Sequence, residues 1–430
     1  MRTHYSKELT REAVGKIVTV EGWIAEIRSF GGIKFLVVRD REGNTQITIK
    51  KDSKLSKAVD GLAKEYVVSV TGIVQEMRGD SKRVEILPES ITVLNTAESP
   101  LPLDISGKIE SDLDARLNER FADLRRHDIR AIFIIKNEVL NGLRDYLDNN
   151  NFIEVHTPKI VAAGAEGGAS LFALEYFGQK AYLAQSPQLF KQTLMATGLD
   201  RVYEISPAFR AEKSDTIRHM SEFLSFDAEM AFIGSQEDVL EALEEAIVHS
   251  LQHVEKHAKA ELEYLKADIK IPELPIPRVT YSEAVKLLKK DGQHVKEGND
   301  IDTEMEKHLG AIMEKKGHEF YYITEYPEKI KPFYIMEKGE HSCSFDMMYR
   351  GTELASGGQR EHRFDHLTKR MRKMKLNPAN FEFYLKGFKY GMPPHGGWGF
   401  GIDRFVQKML GLSNIREAVL FPRDRKRLVP

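Results

Sequence analysis

Three arginines and one glutamate are the side chains of this sequence best suited to phosphate chemistry. Arg210 ends an apolar run and precedes a polar loop, and Arg404 follows a run of glycines. Glu353 and Arg360 flank a Gly-Gly pair in the segment GTELASGGQREH. Guanidinium groups bind phosphoryl oxygens through paired hydrogen bonds, and carboxylate oxygens suit Mg²⁺. Each segment alone could be an ordinary surface group, but together they predict one site for phosphoryl or nucleotidyl transfer.

Several other chemistries are excluded by what the sequence lacks. It has no GxxxxGK[ST] loop and no HExxH, and its glycine cluster over residues 396–401 does not match GxGxxG after a strand. Because Cys343 is the single cysteine, an intrachain disulfide and a cysteine-based zinc site are impossible. Without a Ser-His or Cys-His constellation, the reaction would depend on orientation and electrostatics rather than on a side-chain nucleophile.

The composition is that of an ordinary globular protein in a reducing compartment. The 430 residues allow two or three domains; 41% are hydrophobic, 30% are charged, and the formal net charge is −2. The charged start of the chain lacks the apolar core of a signal peptide, and no run of about 18 apolar residues follows. We therefore expect a soluble cytoplasmic protein, in which any nucleic-acid surface must be a local patch.

The first hundred residues predict a small β-barrel. Five short β-branched runs between Lys16 and Val93 are separated by turn signals, with a polar helix expected over Asp52 to Glu65. This pattern suits an oligonucleotide-binding (OB) barrel or a generic barrel without a ligand. Aromatic and polar side chains alternate with basic ones on one strand face, as a surface that stacks bases and follows phosphates would need. The alternative is that the aromatic ones are core; the set is Trp23, Arg28, Phe30, Lys34, Phe35, Arg39 and Gln46.

A proline-containing connector, Asn95 to Asp104, marks the clearest domain boundary. We expect a barrel domain over 1–100, a linker or hinge with a basic segment over 101–128, and a catalytic domain over 129–430. Helices and strands do not alternate strictly in the last part, so the fold class is α+β with a mixed or antiparallel sheet flanked by helices. Helices are predicted at 129–149, 235–257, 281–290, 302–316 and 359–374, and strands at 152–160, 181–184, 201–205, 223–230, 332–336 and 344–350.

Six separated segments make the chain similar to a known family. FIEVHTPKI, YEISPAFRAE with FDAEM, and GGWGFGIDRF with LFPRD resemble the three signature motifs of class II aminoacyl-tRNA synthetases. AEGGASLF, QSPQLFKQ and SGGQREH resemble the aspartyl-tRNA synthetase group, close to its archaeal form. The resemblance implies a homodimer with an anticodon-binding OB domain and an antiparallel catalytic sheet. It also implies ATP, Mg²⁺, L-aspartate and tRNA-Asp as ligands of an adenylate-forming enzyme, and leaves open whether tRNA-Asn is a further substrate.

The resemblance also implies roles for individual residues. For ATP it implies Arg210 at the α-phosphate, Arg404 at the γ-phosphate, Phe223 on adenine, and Glu212, Arg218, His219 and Gly401 around them, with Glu353 and Ser356 on Mg²⁺. For aspartate it implies Glu166 and Gln188 at the ammonium group, Lys191 and Arg360 at the side-chain carboxylate, Asp227 orienting those cations, and Arg210 and Ser356 nearby. For the anticodon it implies Phe35, Gln46 and Arg28, and for the dimer interface Pro158.

One feature of the sequence argues against each of three other functions. Asparaginyl-tRNA synthetase shares the architecture, but Asp227 stands where that subfamily usually has glutamate. A synthetase-derived paralogue that makes asparagine would typically lack the barrel, and an OB protein with a degenerate body would not keep Arg210, Glu353 and Arg404. Ala25 and the loop 78–83 match neither the tRNA-Asp-selective nor the relaxed form, so charging of tRNA-Asn stays open.

Overall fold

The chain folds into two compact units, Met1–Pro102 and Leu103–Pro430. The structure, a computed structural model, describes residues 1–77, 79–162, 164, 171–211 and 216–430. Residues 103–128, which the sequence assigns to a linker, lie in the second unit. There Arg120 is buried and donates hydrogen bonds to the carbonyl oxygens of Leu420 at 2.9 Å and Val419 at 2.8 Å.

The first unit is a closed five-stranded barrel, as predicted. Its strands are β1 (Ile17–Phe30), β2 (Ile33–Arg39), β3 (Asn44–Ile49), β4 (Val67–Met77) and β5 (Asp80–Asn95), hydrogen-bonded in the order β1-β2-β3-β5-β4. Alternate residues such as Val18, Val20 and Leu36 fill the interior. The prediction of a polar helix over 52–65 is wrong, because the segment forms two short 3₁₀ turns instead. Only Val59 is buried in these turns, which is too little apolar surface to stabilise a continuous helix.

The second unit is built on an eight-stranded sheet with the order β12-β13-β16-β17-β18-β11-β10-β6. The six central strands are antiparallel, whereas β12 and β6 run parallel to their neighbours, so the sheet is mixed. Its strands are β6 (Ile153–Glu154), β10 (Arg201–Phe209), β11 (Glu222–Ala231), β12 (Arg278–Thr280), β13 (Phe320–Thr324), β16 (Ser344–Tyr349), β17 (Thr352–Gln359) and β18 (His395–Gly401). Two smaller sheets are formed by β7 (Ile160–Val161), β8 (Ala173–Tyr176) and β9 (Gln179–Leu183), and by β14 (Glu337–Lys338) and β15 (His341–Ser342).

Helices cover this sheet and form the main core with it. The long helices α3 and α5 pack against each other and α5 packs on β17 and β18, so their apolar stripes, including Ile135, Val139 and Leu243, share one core with the sheet. The helices are α1 (Leu113–Asn118), α2 (Arg120–Asp123), α3 (His127–Asn149), α4 (Gln188–Met195), α5 (Gln236–His257), α6 (Lys259–Leu265), α7 (Tyr281–Lys290), α8 (Thr303–Lys315), α9 (Phe364–Lys373), α10 (Glu382–Lys389) and α11 (Ile402–Met409). No helix among the described residues is long and apolar enough to cross a membrane.

Three sequence predictions of local structure are wrong in this unit. The helix expected over 359–374 begins only at Phe364, because Gln359 still belongs to β17. The strand expected over 332–336 is a turn with one isolated bridge from Ile335 to Arg360. The strand expected over 152–160 is reduced to β6 and the start of β7, since the segment between them contains Pro158, which lacks a backbone donor.

Candidate active site and nucleic-acid interface

One cavity of about 410 Å³ in the second unit collects most of the residues proposed for ATP and aspartate. Strands β11, β17 and β18 and helix α11 supply much of its wall. Glu166 and Glu212 lie outside the described residues, and Lys191 is buried behind Asp227 rather than at the wall. The sequence-proposed residues in the wall are Gln188, Arg210, Arg218, His219, Phe223, Asp227, Glu353, Ser356, Arg360, Gly401 and Arg404.

Three arginines bring positive charge to one end of this cavity. Arg210 follows β10, and its guanidinium carbon lies 5.3 Å from the ring centroid of Phe223. Arg404 lies in the first turn of α11 and donates a hydrogen bond to the carbonyl oxygen of Glu353 at 2.7 Å. Burial lowers the pKa of Arg404, while the charge of Glu353 opposes that shift. Arg218 forms an ion pair with Glu306 of α8 at 2.8 Å. Fixed cations of this kind suit the oxygens of a polyphosphate.

Carboxylate and hydroxyl oxygens gather beside these arginines. Asp346 of β16 lies directly opposite Ser356 of β17 in the sheet, and Glu353 lies three residues before Ser356 on the same strand. Burial, and then the charge of Asp346, raises the pKa of Glu353 to about 7, although Arg404 opposes this. Asp346 Oδ1 is buried and accepts no hydrogen bond of normal geometry from the described residues. Asp346 was not predicted from the sequence, although it is a lone carboxylate in the otherwise apolar run SFDMMY.

These oxygens fit a hard divalent cation that shares its coordination with phosphate groups. Mg²⁺ is usually held by one or two carboxylates and completes its shell with substrate phosphates and water. Within the described residues, no three His, Cys, Asp or Glu side chains converge closely enough to hold a metal by themselves. The donor set therefore matches a metal that arrives with a polyphosphate rather than one bound permanently by the protein.

A buried cluster of two cations and two carboxylates lies at the other end of the cavity. Arg360 donates through Nε and Nη2 to the two oxygens of Glu229 at 2.9 and 3.1 Å. Lys191 donates to Asp227 at 3.0 Å and to the carbonyl oxygen of Trp398 at 2.6 Å, and its Nζ lies 3.6 Å from Glu229. Burial alone would raise the pKa of Glu229, but the charges of Arg360 and Lys191 hold it below its ordinary value.

Glu229 was not identified from the sequence, although its spacing carried a signal. It lies two residues after Asp227 on β11, and residues at this spacing point to the same side of a strand. A glycine makes room for it: a Cβ on Gly397 of β18 would lie 2.3 Å from Glu229 Oε2 and 2.1 Å from the carbonyl oxygen of Ala228. The glycine-rich segment before α11 is thus a strand that admits a buried carboxylate.

The barrel presents a second group of proposed residues. Arg28 of β1 lies opposite Phe35 of β2, which lies opposite Thr48 of β3. Phe35 is half-buried and outside the barrel core, so the alternative that it is a core residue is wrong. Gln46 donates to the buried carboxylate of Glu85 at 2.8 Å, a residue that was not predicted from the sequence.

Glu85 fixes the direction in which Gln46 points. Thr48 and Gln75 also donate to Glu85, at 2.5 and 2.6 Å, so its carboxylate is held by three side chains. Because the amide of Gln46 is used as the donor, its carbonyl oxygen remains as the acceptor on this face. Of the loop 78–83, residue 78 lies outside the described residues.

Comparison with known protein families identifies one family for each of the two units. Residues 112–425 match the family model of class II tRNA synthetases (D, K and N), and residues 18–94 match that of an OB-fold nucleic acid binding domain. The chain is 51% identical to the aspartate–tRNA(Asp) ligase of Thermococcus kodakarensis, and 47% identical to the aspartate–tRNA(Asp/Asn) ligase of Methanopyrus kandleri, with 100% of each chain covered.

Solved structures share the fold over the whole chain. The asparaginyl-tRNA synthetase of Pyrococcus horikoshii with asparaginyl-adenylate superposes with a TM-score of 0.93 at 31% identity, covering 100% of both chains. The aspartyl-tRNA synthetase of Entamoeba histolytica gives a TM-score of 0.87 at 30% identity, covering 99% of this chain and 92% of the other. The full-length match in sequence and architecture, with the cavity described above, places this chain among the class II tRNA synthetases and, within them, in the aspartate–tRNA ligase family.

Proposed function

We propose that this protein activates L-aspartate with ATP and transfers the aspartyl group to tRNA-Asp. The observation that carries the proposal is the cavity itself, which has arginines and carboxylates for a metal-bound triphosphate at one end and buried Arg360 at the other. A single cleft with these two ends suits a nucleotide and a small acid bound side by side. A protein that only binds RNA would need neither a site for a metal-bound triphosphate nor a buried cation for a small acid.

In the first step, an oxygen of the aspartate α-carboxylate bonds to the α-phosphorus of ATP while the bond to pyrophosphate breaks. Negative charge grows on the phosphoryl oxygens and on the leaving pyrophosphate, so the cations of Arg210 and Arg404 stabilise the transition state more than the ground state. Bound Mg²⁺, held through Glu353, Asp346 and Ser356, would supply further charge neutralisation on the phosphates. In the second step, a ribose hydroxyl of the tRNA 3′ end attacks the aspartyl carbonyl carbon, and AMP leaves.

Selection of aspartate follows from the buried charge cluster. Arg360 lines the cavity, and the Nη1 side of its guanidinium is not engaged by Glu229. A substrate carboxylate there gains a charge-assisted hydrogen bond, whereas the neutral amide of asparagine does not compensate the buried cation. The proposed function of Lys191 is indirect: it holds Asp227 and stands behind Arg360 as a second positive charge.

The barrel and a second surface support the tRNA and dimer parts of the proposal. Phe35, with Arg28 and the acceptor oxygen of Gln46, offers a stacking face, a cation and a hydrogen-bond group to an anticodon base. Near Pro158, Ile153 and Ile160 are exposed by 46% and 48%, an apolar surface that a second copy of the chain would cover.

The deciding experiment measures both half-reactions with purified protein. ATP–pyrophosphate exchange should depend on L-aspartate and Mg²⁺ and should be far weaker with asparagine, and labelled aspartate should be attached to a tRNA-Asp transcript. A parallel assay with a tRNA-Asn transcript decides whether the enzyme is selective for tRNA-Asp or charges both. An Arg404→Ala variant should lose exchange, whereas Arg372→Ala, on the exposed surface of α9, should keep it. Exchange that depends on asparagine instead of aspartate would refute the proposal.

A further inference from the structure

Lys331 is a nearly buried cation at the wall of the cavity that none of the proposed steps uses. It follows a short 3₁₀ turn, Glu328–Ile330, and its side chain is 10% exposed. Its Nζ donates a hydrogen bond to Asp346 Oδ2 at 2.7 Å and lies 3.7 Å from the ring centroid of Tyr326. An ammonium group held by both a carboxylate and an aromatic face is fixed in place.

The backbone of this turn is anchored independently of the cavity. Arg370 of α9 is buried and donates through Nη2 to the carbonyl oxygens of Glu328 at 3.0 Å, Lys331 at 3.2 Å and Pro332 at 3.2 Å. The position of Lys331 is therefore set by a helix outside the sheet. Its ammonium group cannot leave Asp346 without a rotation of its own side chain, because the backbone is held.

The contact leaves Asp346 with one oxygen engaged and one available. Oδ2 accepts from Lys331, whereas Oδ1 is buried and accepts no hydrogen bond of normal geometry from the described residues. The hydroxyl of Tyr326 approaches the same carboxylate, and burial together with the charge of Asp346 raises the pKa of that phenol well above its ordinary value. Asp346 is thus held from two sides and leaves Oδ1 as its open ligand atom.

Lys331 also changes the net charge that a metal ion would meet. When both are ionised, Asp346 and Glu353 present two negative charges to a free divalent cation, and the repulsion between them is large in a partly buried site. The tethered ammonium of Lys331 offsets one of these charges, in surroundings to which Arg404 adds a positive charge and Glu306 and Asp300 add negative ones. A free cation is then attracted less, whereas a cation already bound to ATP, which is a net anion, is repelled less.

We propose that Lys331 is a positioning residue that makes the carboxylate pair select a metal–ATP complex over a free metal ion. This inference rests on the proposed function, since it assumes that the cavity binds metal-loaded ATP. The positioning acts through Asp346, whose carboxylate Lys331 holds in place by the hydrogen bond to Oδ2. Removing the charge should therefore shift two affinities in opposite directions.

The test uses the full-length protein and Mn²⁺ as the probe, with free Mn²⁺ measured by its EPR signal. In Lys331→Gln, which keeps a hydrogen-bond donor but loses the charge, we expect Mn²⁺ binding to the protein alone to tighten by about tenfold. Calorimetric titration with Mn²⁺ and a non-hydrolysable ATP analogue should show weaker binding by a similar factor. Lys331→Arg should restore both affinities towards wild type, and Lys329→Gln, an exposed lysine two residues earlier, should change neither.

The outcomes separate this inference from the proposed function. A merely structural role for Lys331 would weaken both affinities, and that result, or unchanged Mn²⁺ binding, would overturn the inference. Failure of the arginine variant to restore the two affinities would also overturn it. Aspartate-dependent exchange by the wild-type enzyme is measured separately, so it reports on the function alone. If Lys331→Gln does not fold, as judged by circular dichroism, Lys331→Met is measured in the same way.

Discussion

The buried pair of Arg360 and Glu229 allows stability and aspartate activation to be separated by mutation. In Arg360→Met, the Glu229 carboxylate stays fully buried and keeps only Lys191, at 3.6 Å, as a cation. Removing one partner of a buried ion pair costs about 3–5 kcal/mol, so we expect this loss in the free energy of unfolding. Aspartate activation should fall by about a hundredfold or more, because the substrate carboxylate loses its charge-assisted partner.

Adding Glu229→Gln to this variant removes the orphaned charge. The double variant should recover most of the lost stability, since no buried ion remains unpaired, but it should not recover activity because the guanidinium is still absent. Glu229→Gln alone leaves the guanidinium of Arg360 without its carboxylate partner, so we expect a lower free energy of unfolding. Added L-aspartate should stabilise this variant more than the wild-type protein, because the substrate carboxylate then supplies the missing partner.

The assay combines unfolding with ATP–pyrophosphate exchange. The chain has two tryptophans, Trp23 in the first unit and Trp398 in the second, so in a Trp23→Phe background the fluorescence of buried Trp398 reports on the second unit alone. Arg372→Met, at an exposed position of α9, is the matched control and should change neither stability nor activity. The reasoning would be refuted if Arg360→Met kept near-normal exchange, or if the double variant were as unstable as the single one.

Three further outcomes follow from other contacts. Gly397→Ala should lower the free energy of unfolding by about 3 kcal/mol or more, because the added Cβ would lie 2.1 Å from a backbone oxygen. Gly401→Ala should be tolerated, because the nearest atom to its Cβ would be 3.7 Å away. Equal stability of the two variants would contradict the close approach at Gly397. Phe35→Leu should lower kcat/KM for tRNA by about tenfold with unchanged pyrophosphate exchange, since stacking is lost but apolar volume is kept; a normal value would remove Phe35 from the interface. Burial lowers the pKa of His395 to about 4, below the value of a histidine in the unfolded chain, so the protein loses stability as the pH falls from the unfolded to the folded pKa. Urea unfolding should therefore show a loss of about 2 kcal/mol in the free energy of unfolding between about pH 7 and pH 5. The His395→Gln variant should not show this loss.

The sequence predicted correctly those elements in which the spacing of apolar residues shows which face is buried. The alternation in IVTVEGWIAEI predicts a barrel strand, and Val18, Val20 and Ile24 are indeed buried in it. The helical spacing over 129–149 predicts α3, which runs from His127 to Asn149. These predictions succeed because burial of one face requires a fixed period in the chain itself.

The sequence failed where an element depends on its neighbours. Residues 332–336 are apolar enough for a strand, but they form a turn that Arg370 holds from another helix. No strand was predicted for the glycine-rich residues before α11, yet they form β18 because they fit closely between β11 and β17. Close packing of that kind is decided by the facing strands rather than by the segment.

The sequence by itself determined which chemistry is available: the family motifs, the arginines and Glu353, and a barrel that carries Phe35 and Gln46. Only the tertiary structure decided that Phe35 lies outside the barrel core and which charges are buried together. Asp346, Glu229 and Glu85 each lie in an unremarkable strand, and each becomes important only through a cation or amide that distant residues bring to it. Burying a carboxylate is costly in free energy unless such a partner compensates it, and the spacing of residues along one strand does not say which partner that will be.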